Sequence, residues 1–353
     1  MTAPASIDHL AAEWDLIPDL AAFSTTASGR PLRFFEILDS LRFMEQDTFA
    51  KYVPIQASPQ TSEYFDRLLL WIANAGLTPE DKPLLFEFAN RLCYFSQDDF
   101  LALYRSAFTG PVSRWVAQQC AIRLDEPGWE SQFARQRDER TWYCPVTDSM
   151  TIGEFYHINH LTGVSHRPGF RSLREFQTAG EALRQHMDDA GMDRLVLLED
   201  FVGTGSQTAA TVEWAVKQLE RPVLFVPLII APDGMRRLLS LRGKFLDGLL
   251  SIEPVIQLEA HEFVGQATAE TDPLFARVRA LAERVHDEVG GDSPRTPNRS
   301  PYSPMGFHRE GDTATGATVV LYSNCPNNTL PMVHHHSPQS NWKPLFPRVE
   351  REP

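Results

Sequence analysis

The 353-residue chain carries a formal charge of −13 at pH 7, which argues against direct nucleic-acid binding and against an anionic membrane surface, since such association is driven by counterion release as Lys and Arg meet phosphates. Cys93, Cys120, Cys144 and Cys325 are far apart and form no Cys-x-x-Cys pair, so neither a zinc ribbon nor a disulfide framework is expected. No apolar run reaches the roughly eighteen residues of a membrane span, and Asp8, Glu13, Asp15 and Asp19 stand where a signal peptide is basic and then apolar, so a cytoplasmic protein is expected.

In chain order, residues 1–136 predict a mainly helical region. Ser62 can cap a helix through Tyr64, Phe65, Leu68, Leu69, Trp71 and Ile72, and Leu84 to Phe95 repeats the i, i+3, i+4 spacing. Ser96-Gln97-Asp98-Asp99 then opens a helix through Phe100, Leu103 and Tyr104. From Arg140 apolar runs alternate with helical segments, the pattern of βαβ units. Strands are predicted at Thr141 to Val146, Arg194 to Leu198, Val223 to Ile230, Ile252 to Leu258 and Thr318 to Tyr322. Intervening helices run through Ile152 and Phe155, through Leu173, Phe176, Leu183 and Met187, through Val212 and Val216, through Met235 and Leu238, and through Phe275 and Val278. Residues 137–353 are thus expected to form an α/β domain with a parallel sheet flanked by helices. A Pro-rich flexible insertion near 290–315 and an irregular C-terminal tail are expected within it.

The most informative stretch is Leu195-Val-Leu-Leu-Glu-Asp-Phe-Val-Gly-Thr-Gly-Ser-Gln207. Ligands of parallel sheets bind beyond the carboxyl ends of strands, which is where Glu199 and Asp200 are predicted to sit. Glycines at 203 and 205 let backbone N–H groups approach an anion at the start of a helix, and the hydroxyls of Thr204 and Ser206 add donors. The two carboxylates can accept hydrogen bonds from vicinal ribose hydroxyls or orient a metal ion, so a sugar phosphate matches both ends. A Glu-Asp that merely ends a strand before a helix-capping turn is the plainer alternative. The Gly-Lys-Ser/Thr of a Walker loop is absent. Upstream, Thr147-Asp148-Ser149 follows a predicted strand and is either an anion-binding turn or an ordinary helix cap.

Glu199-Asp200-Phe-Val-Gly203-Thr204-Gly205-Ser206-Gln207 resembles the fingerprint of type I phosphoribosyltransferases, in which strand, acid pair, spacer and Thr-Gly-x-Thr follow in register. The family's last Thr is Gln207 here. Gly203 stands where purine-salvage members carry an acid facing the base, which argues against hypoxanthine or guanine salvage. The resemblance implies that Gly203, Thr204, Gly205, Ser206 and Gln207 bind the 5′-phosphate. It also implies that Thr147, Asp148 and Ser149 bind the diphosphate, and that Glu199 and Asp200 serve catalysis and hold Mg²⁺. His157, Asn159, His160, His166 and Arg167 fall where the family has a mobile hood.

The ending Asn324-Cys-Pro-Asn-Asn-Thr-Leu-Pro331 with Trp342 to Arg348 extends the similarity to phosphoribosyltransferase-like proteins of prokaryotic conflict, or anti-phage defence, systems. This implies an effector or accessory acting on 5-phosphoribosyl diphosphate or a nucleotide, by transfer or N-glycosidic cleavage, with a defence-system protein as a possible partner. A non-catalytic nucleotide sensor or scaffold is the alternative. In the tail, Asn327, Asn328, Trp342 and Phe346 either contact a nucleobase or anchor the terminus on the core. Three consecutive histidines, His334 to His336, alternate in direction on an extended chain, so no zinc site is expected from them.

Overall fold

The computed structural model describes residues 24–25, 31–32, 34–56, 63–123, 125–163, 167, 180–290, 302–308, 313–336 and 340–349. These fall into two compact units: Asp98–Glu259, and a discontinuous unit made of described residues up to Gln97 and from Ala260 onward. The expected boundary at 136/137 lies inside the first unit. The change of rhythm at Arg140 marks where strands begin, but the helices before it pack on those strands. The Phe108 ring lies 5.9 Å from Tyr143 and 6.0 Å from Phe155, and the Asn159 amide donates to the Tyr104 carbonyl at 3.3 Å.

The Asp98–Glu259 unit is built on a parallel sheet of five strands: β1 (Thr141–Pro145), β2 (Arg194–Val202), β3 (Val223–Ile230), β4 (Leu250–Ile252) and β5 (Ile256–Gln257). The order is β1-β2-β3-β4, with β5 also pairing β3. Flanking helices are α1 (Ile152–Ile158), α2 (Gly180–Asp189), α3 (Ser206–Leu219) and α4 (Pro232–Arg242). Alternate strand residues explain the two covered faces. Trp142, Cys144, Leu195, Leu197, Val223 and Phe225 share a core with Leu183, Val212, Val216 and Leu238. On the other face Tyr143 packs against Phe155, ring centroids 5.5 Å apart. Every residue of Val223–Ile230 is buried, as expected of a central parallel strand.

Two strand expectations change in extent. The strand predicted to stop at Leu198 continues to Val202, pairing with β3 as far as Val202↔Ile230. The single strand expected at Ile252 to Leu258 is two short pieces, β4 and β5, both on β3. The region of Leu173 and Phe176 lies outside the described residues.

In the other unit the helices Phe34–Asp47, Tyr64–Ile72, Asp81–Ala89 and Pro273–Arg284 carry the chain. Ser62 lies outside the described residues. The helical run expected to reach Phe95 ends at Ala89, and Cys93–Phe95 instead pairs in parallel with Val319–Leu321. Much of the expected insertion, 291–301 and 309–312, lies outside the described residues. Tyr302–His308 is tied down: Phe307 N–H donates to the Asn327 carbonyl at 2.8 Å, and the Asn328 amide donates to the Phe307 carbonyl at 3.1 Å.

The tail anchors this unit, which removes the base-stacking alternative for it. Trp342 and Phe346 are 3% and 0% exposed. The indoles of Trp71 and Trp342 both donate to the Met332 carbonyl, at 2.8 and 2.9 Å. The Phe346 ring sits 5.3 Å from Tyr52, 5.5 Å from Phe49 and 5.6 Å from Tyr94. His334 and His335 are buried, each with Nε2 on a backbone carbonyl, while His336 is exposed.

Candidate functional site

The register of β1 against β2 creates the site. β1 ends at Pro145, opposite Leu198, and one further bond runs from Val146 N–H to the Leu198 carbonyl at 2.8 Å. β2 continues, paired on its other side with β3, so Glu199 and Asp200 extend past the end of β1. The 147–149 turn covers them there. Thr147 N–H donates to Glu199 Oε2 at 3.0 Å, and the Thr147 hydroxyl donates to Glu199 Oε1 at 2.8 Å. The Ser149 hydroxyl donates to Asp200 Oδ1 at 2.9 Å, and that oxygen also accepts the Phe201 N–H at 2.7 Å. Thr147 Oγ1 and Ser149 Oγ lie 2.6 Å apart, which links the two acids into one chain of oxygens.

Burial pushes the Glu199 carboxyl well above the ordinary range, and the charges of Asp200 and Asp148 add to the push against the lowering effect of the Thr147 bonds. Glu199 and Asp200 are only 4% and 6% exposed, whereas Asp148 is exposed.

Beyond Val202 the chain turns through Gly203 into α3. Gly205, at φ +73°, occupies the left-handed region before the helix, where a side chain would be strained. Thr204 Oγ1 and Ser206 Oγ are 3.1 Å apart and both half-buried, and Gln207 is exposed in the first helical turn. Thr208, the next threonine, faces the core and is 4% exposed.

Two residues of α4 complete this corner and were not anticipated from sequence. Gly234 packs against the turn so tightly that a Cβ on it would stand 2.6 Å from the Gly203 carbonyl oxygen. The available signal was a glycine inside a helical pattern, which costs helix stability and points to a packing reason. Arg237 brings a cation to the same place, its Cδ lying 3.7 Å from where a Gly205 Cβ would be. Of the residues expected in a hood, His157 and His160 are exposed, and the Asn159 amide is bound to the Phe155 and Tyr104 carbonyls. Arg167 is buried, donating to the Thr162 carbonyl at 2.6 Å and to the Asp138 carbonyl. His166 lies outside the described residues.

Mg²⁺ sites of this kind combine one or two carboxylates with ligand phosphates and water. Asp200 fits that donor chemistry. Glu199, with both oxygens bound to Thr147, does not in this arrangement. Among the described residues no three His, Cys, Asp or Glu side chains are grouped to hold a metal ion, and no helix is long and apolar enough to cross a membrane.

A parallel sheet flanked by helices, with an acid pair near the end of a central strand and a glycine turn opening the next helix, defines a phosphoribosyltransferase-like α/β protein. The chain matches the family described as PRTase-CE over residues 70–348 and belongs to it. No curated protein and no solved structure matched the chain.

Proposed function

We propose that the site binds 5-phosphoribosyl diphosphate or a nucleotide and promotes transfer or cleavage at ribose C1, in an effector or accessory role in anti-phage defence. The observation that carries this reading is the placement of Glu199 and Asp200 beside the end of β1, four and three residues ahead of Gly203, with the Gly203–Gln207 turn following directly on their strand. In the proposed complex the turn binds the 5′-phosphate through backbone N–H groups and the hydroxyls of Thr204 and Ser206. Asp200, with Glu199 behind it, faces the ribose hydroxyls and stabilises the positive charge that develops on the sugar as the C1 bond breaks. With no obvious nucleophile in the set, catalysis rests on positioning and electrostatics. Mg²⁺, when bound, would neutralise phosphate charge, with Asp200 as its carboxylate ligand. A second reading, a nucleotide sensor or scaffold without turnover, draws on the commitment of both Glu199 oxygens to Thr147.

The test is calorimetric titration with 5-phosphoribosyl diphosphate and a panel of nucleoside monophosphates, with and without Mg²⁺, beside Thr204→Ala. The expected result is binding that Mg²⁺ strengthens and Thr204→Ala weakens. Absence of binding by every ligand would overturn the sugar-phosphate reading. Binding without turnover in the presence of acceptor bases or water would favour the sensor.

A further inference from the structure

The type I resemblance gives Thr147, Asp148 and Ser149 to the diphosphate, yet the two hydroxyls of this turn already have occupants. A hydroxyl carries one hydrogen. That of Thr147 goes to Glu199 Oε1 and that of Ser149 to Asp200 Oδ1. The backbone N–H of Thr147 goes to Glu199 as well, and that of Ser149 turns back to Thr147 Oγ1 at 3.3 Å. What the turn offers a ligand through these hydroxyls is lone pairs beside two acids, which is the wrong polarity for a diphosphate oxygen. It is the right arrangement for fixing carboxylates, because both bonds onto Glu199 come from a residue that is itself 8% exposed and held at the end of a strand.

We infer that Thr147 and Ser149 are positioning residues. They fix Glu199 in place behind Asp200 and orient Asp200 toward the ribose hydroxyls, and their own hydroxyls are not diphosphate ligands. The inference rests on the sugar-phosphate reading of the site. It assigns recognition to the ribose and its 5′-phosphate, so the affinity the turn controls is that of any 5-phosphorylated ribose, whether or not a diphosphate is attached.

The experiment uses the full chain and three probes: ribose 5-phosphate, 5-phosphoribosyl diphosphate and inorganic diphosphate, titrated calorimetrically into wild type, Thr147→Val, Thr147→Ser and Ser149→Ala. Thr147→Val keeps the shape and removes the hydroxyl. It is expected to weaken ribose 5-phosphate and 5-phosphoribosyl diphosphate by the same factor, on the order of tenfold for a buried carboxyl left short of a hydrogen bond, and to leave inorganic diphosphate unchanged. Ser149→Ala should act in the same direction on both sugar ligands. Thr147→Ser restores the hydroxyl and should restore both affinities, which a loss of fold would not allow. A selective loss of the two diphosphate-bearing probes in Thr147→Val, with ribose 5-phosphate untouched, would overturn the inference, as would unchanged affinity for all three. Failure of wild type to bind either sugar ligand would instead overturn the sugar-phosphate reading, and the inference with it.

Discussion

Gly234 and Gly203 meet backbone to backbone: a β-carbon at 234 would stand 2.6 Å from the Gly203 carbonyl oxygen and 2.9 Å from Val202 Cγ1. Neither atom can yield without moving the turn, since the Val202 carbonyl already accepts the Ala231 N–H at 2.9 Å. Gly234→Ala is therefore expected to destabilise the protein by about 1–3 kcal/mol, the usual cost of overpacking, and to weaken phosphate-bearing ligands by shifting the turn. Gly153, in α1 with no atom near its would-be Cβ, is the control. There Ala should gain roughly 0.5–1 kcal/mol from its better helix propensity. Equal thermal midpoints for the two variants would count against the close-packed corner.

Stability should depend on pH through Glu199. Its folded carboxyl is raised by burial above its ordinary value of 4.5, with Asp200 adding to the effect. The sign follows from linkage: above 4.5 the unfolded carboxyl gives up its proton while the folded one keeps it. The folded state then binds more protons, and stability falls as pH rises toward the folded pKa. Glu199→Gln keeps a hydrogen-bonding group of the same shape without this ionisation. Its thermal midpoint is expected to gain on that of wild type with rising pH. Curves that run parallel through neutral pH would show that Glu199 ionises normally.

What was legible in the sequence, and what was not, divides along the range of the interactions. The apolar run Leu195 to Leu198 and the strand Val223 to Ile230 are local patterns, and both strands are present. The glycine turn is equally local, and Gly205 takes the left-handed conformation that only glycine adopts freely. The partner of Thr147 lies 52 residues away, and no periodicity reports that distance. A Thr-x-Ser before a helix has the same spelling whether it caps the helix, binds an anion or holds a carboxylate. The course of the tail was open for a related reason: Trp342 and Phe346 are apt for stacking on a base and equally for burial, and only the packing with Trp71, Tyr52 and Phe49 decides between them.

That packing makes Phe346 a stability residue. Its ring is fully buried among Phe49, Tyr52, Tyr64 and Tyr94. Tyr52 also ties the neighbouring backbone, its hydroxyl donating to the Pro347 carbonyl at 3.0 Å. Phe346→Ala removes an aromatic side chain from a site that cannot fully collapse, for which a loss on the order of 3–5 kcal/mol is expected. Denaturant unfolding monitored by tryptophan fluorescence measures it. A loss below about 1 kcal/mol, the range of an exposed position, would show that the tail is not part of the core.

Arg237 is a cation beside the proposed phosphate turn, one helical turn after Gly234 and with its Cδ 3.7 Å from where a Gly205 Cβ would be. A guanidinium is always charged and matches phosphate oxygens with paired N–H donors. With the 5′-phosphate at the Gly203–Gln207 turn, as proposed, Arg237→Ala should weaken ribose 5-phosphate by about tenfold or more, the worth of a charge-assisted hydrogen bond. The loss should shrink as salt screens the interaction, because Arg237 is exposed. Arg237→Lys keeps the charge but not the paired geometry and should recover only part of the affinity. Arg236, the neighbouring arginine, is paired with Asp233 and serves as the control, since Arg236→Ala removes the same net charge from the same helix. Equal losses in the two alanine variants would mean that the helix acts through its overall charge, and Arg237 would then have no specific contact with the phosphate.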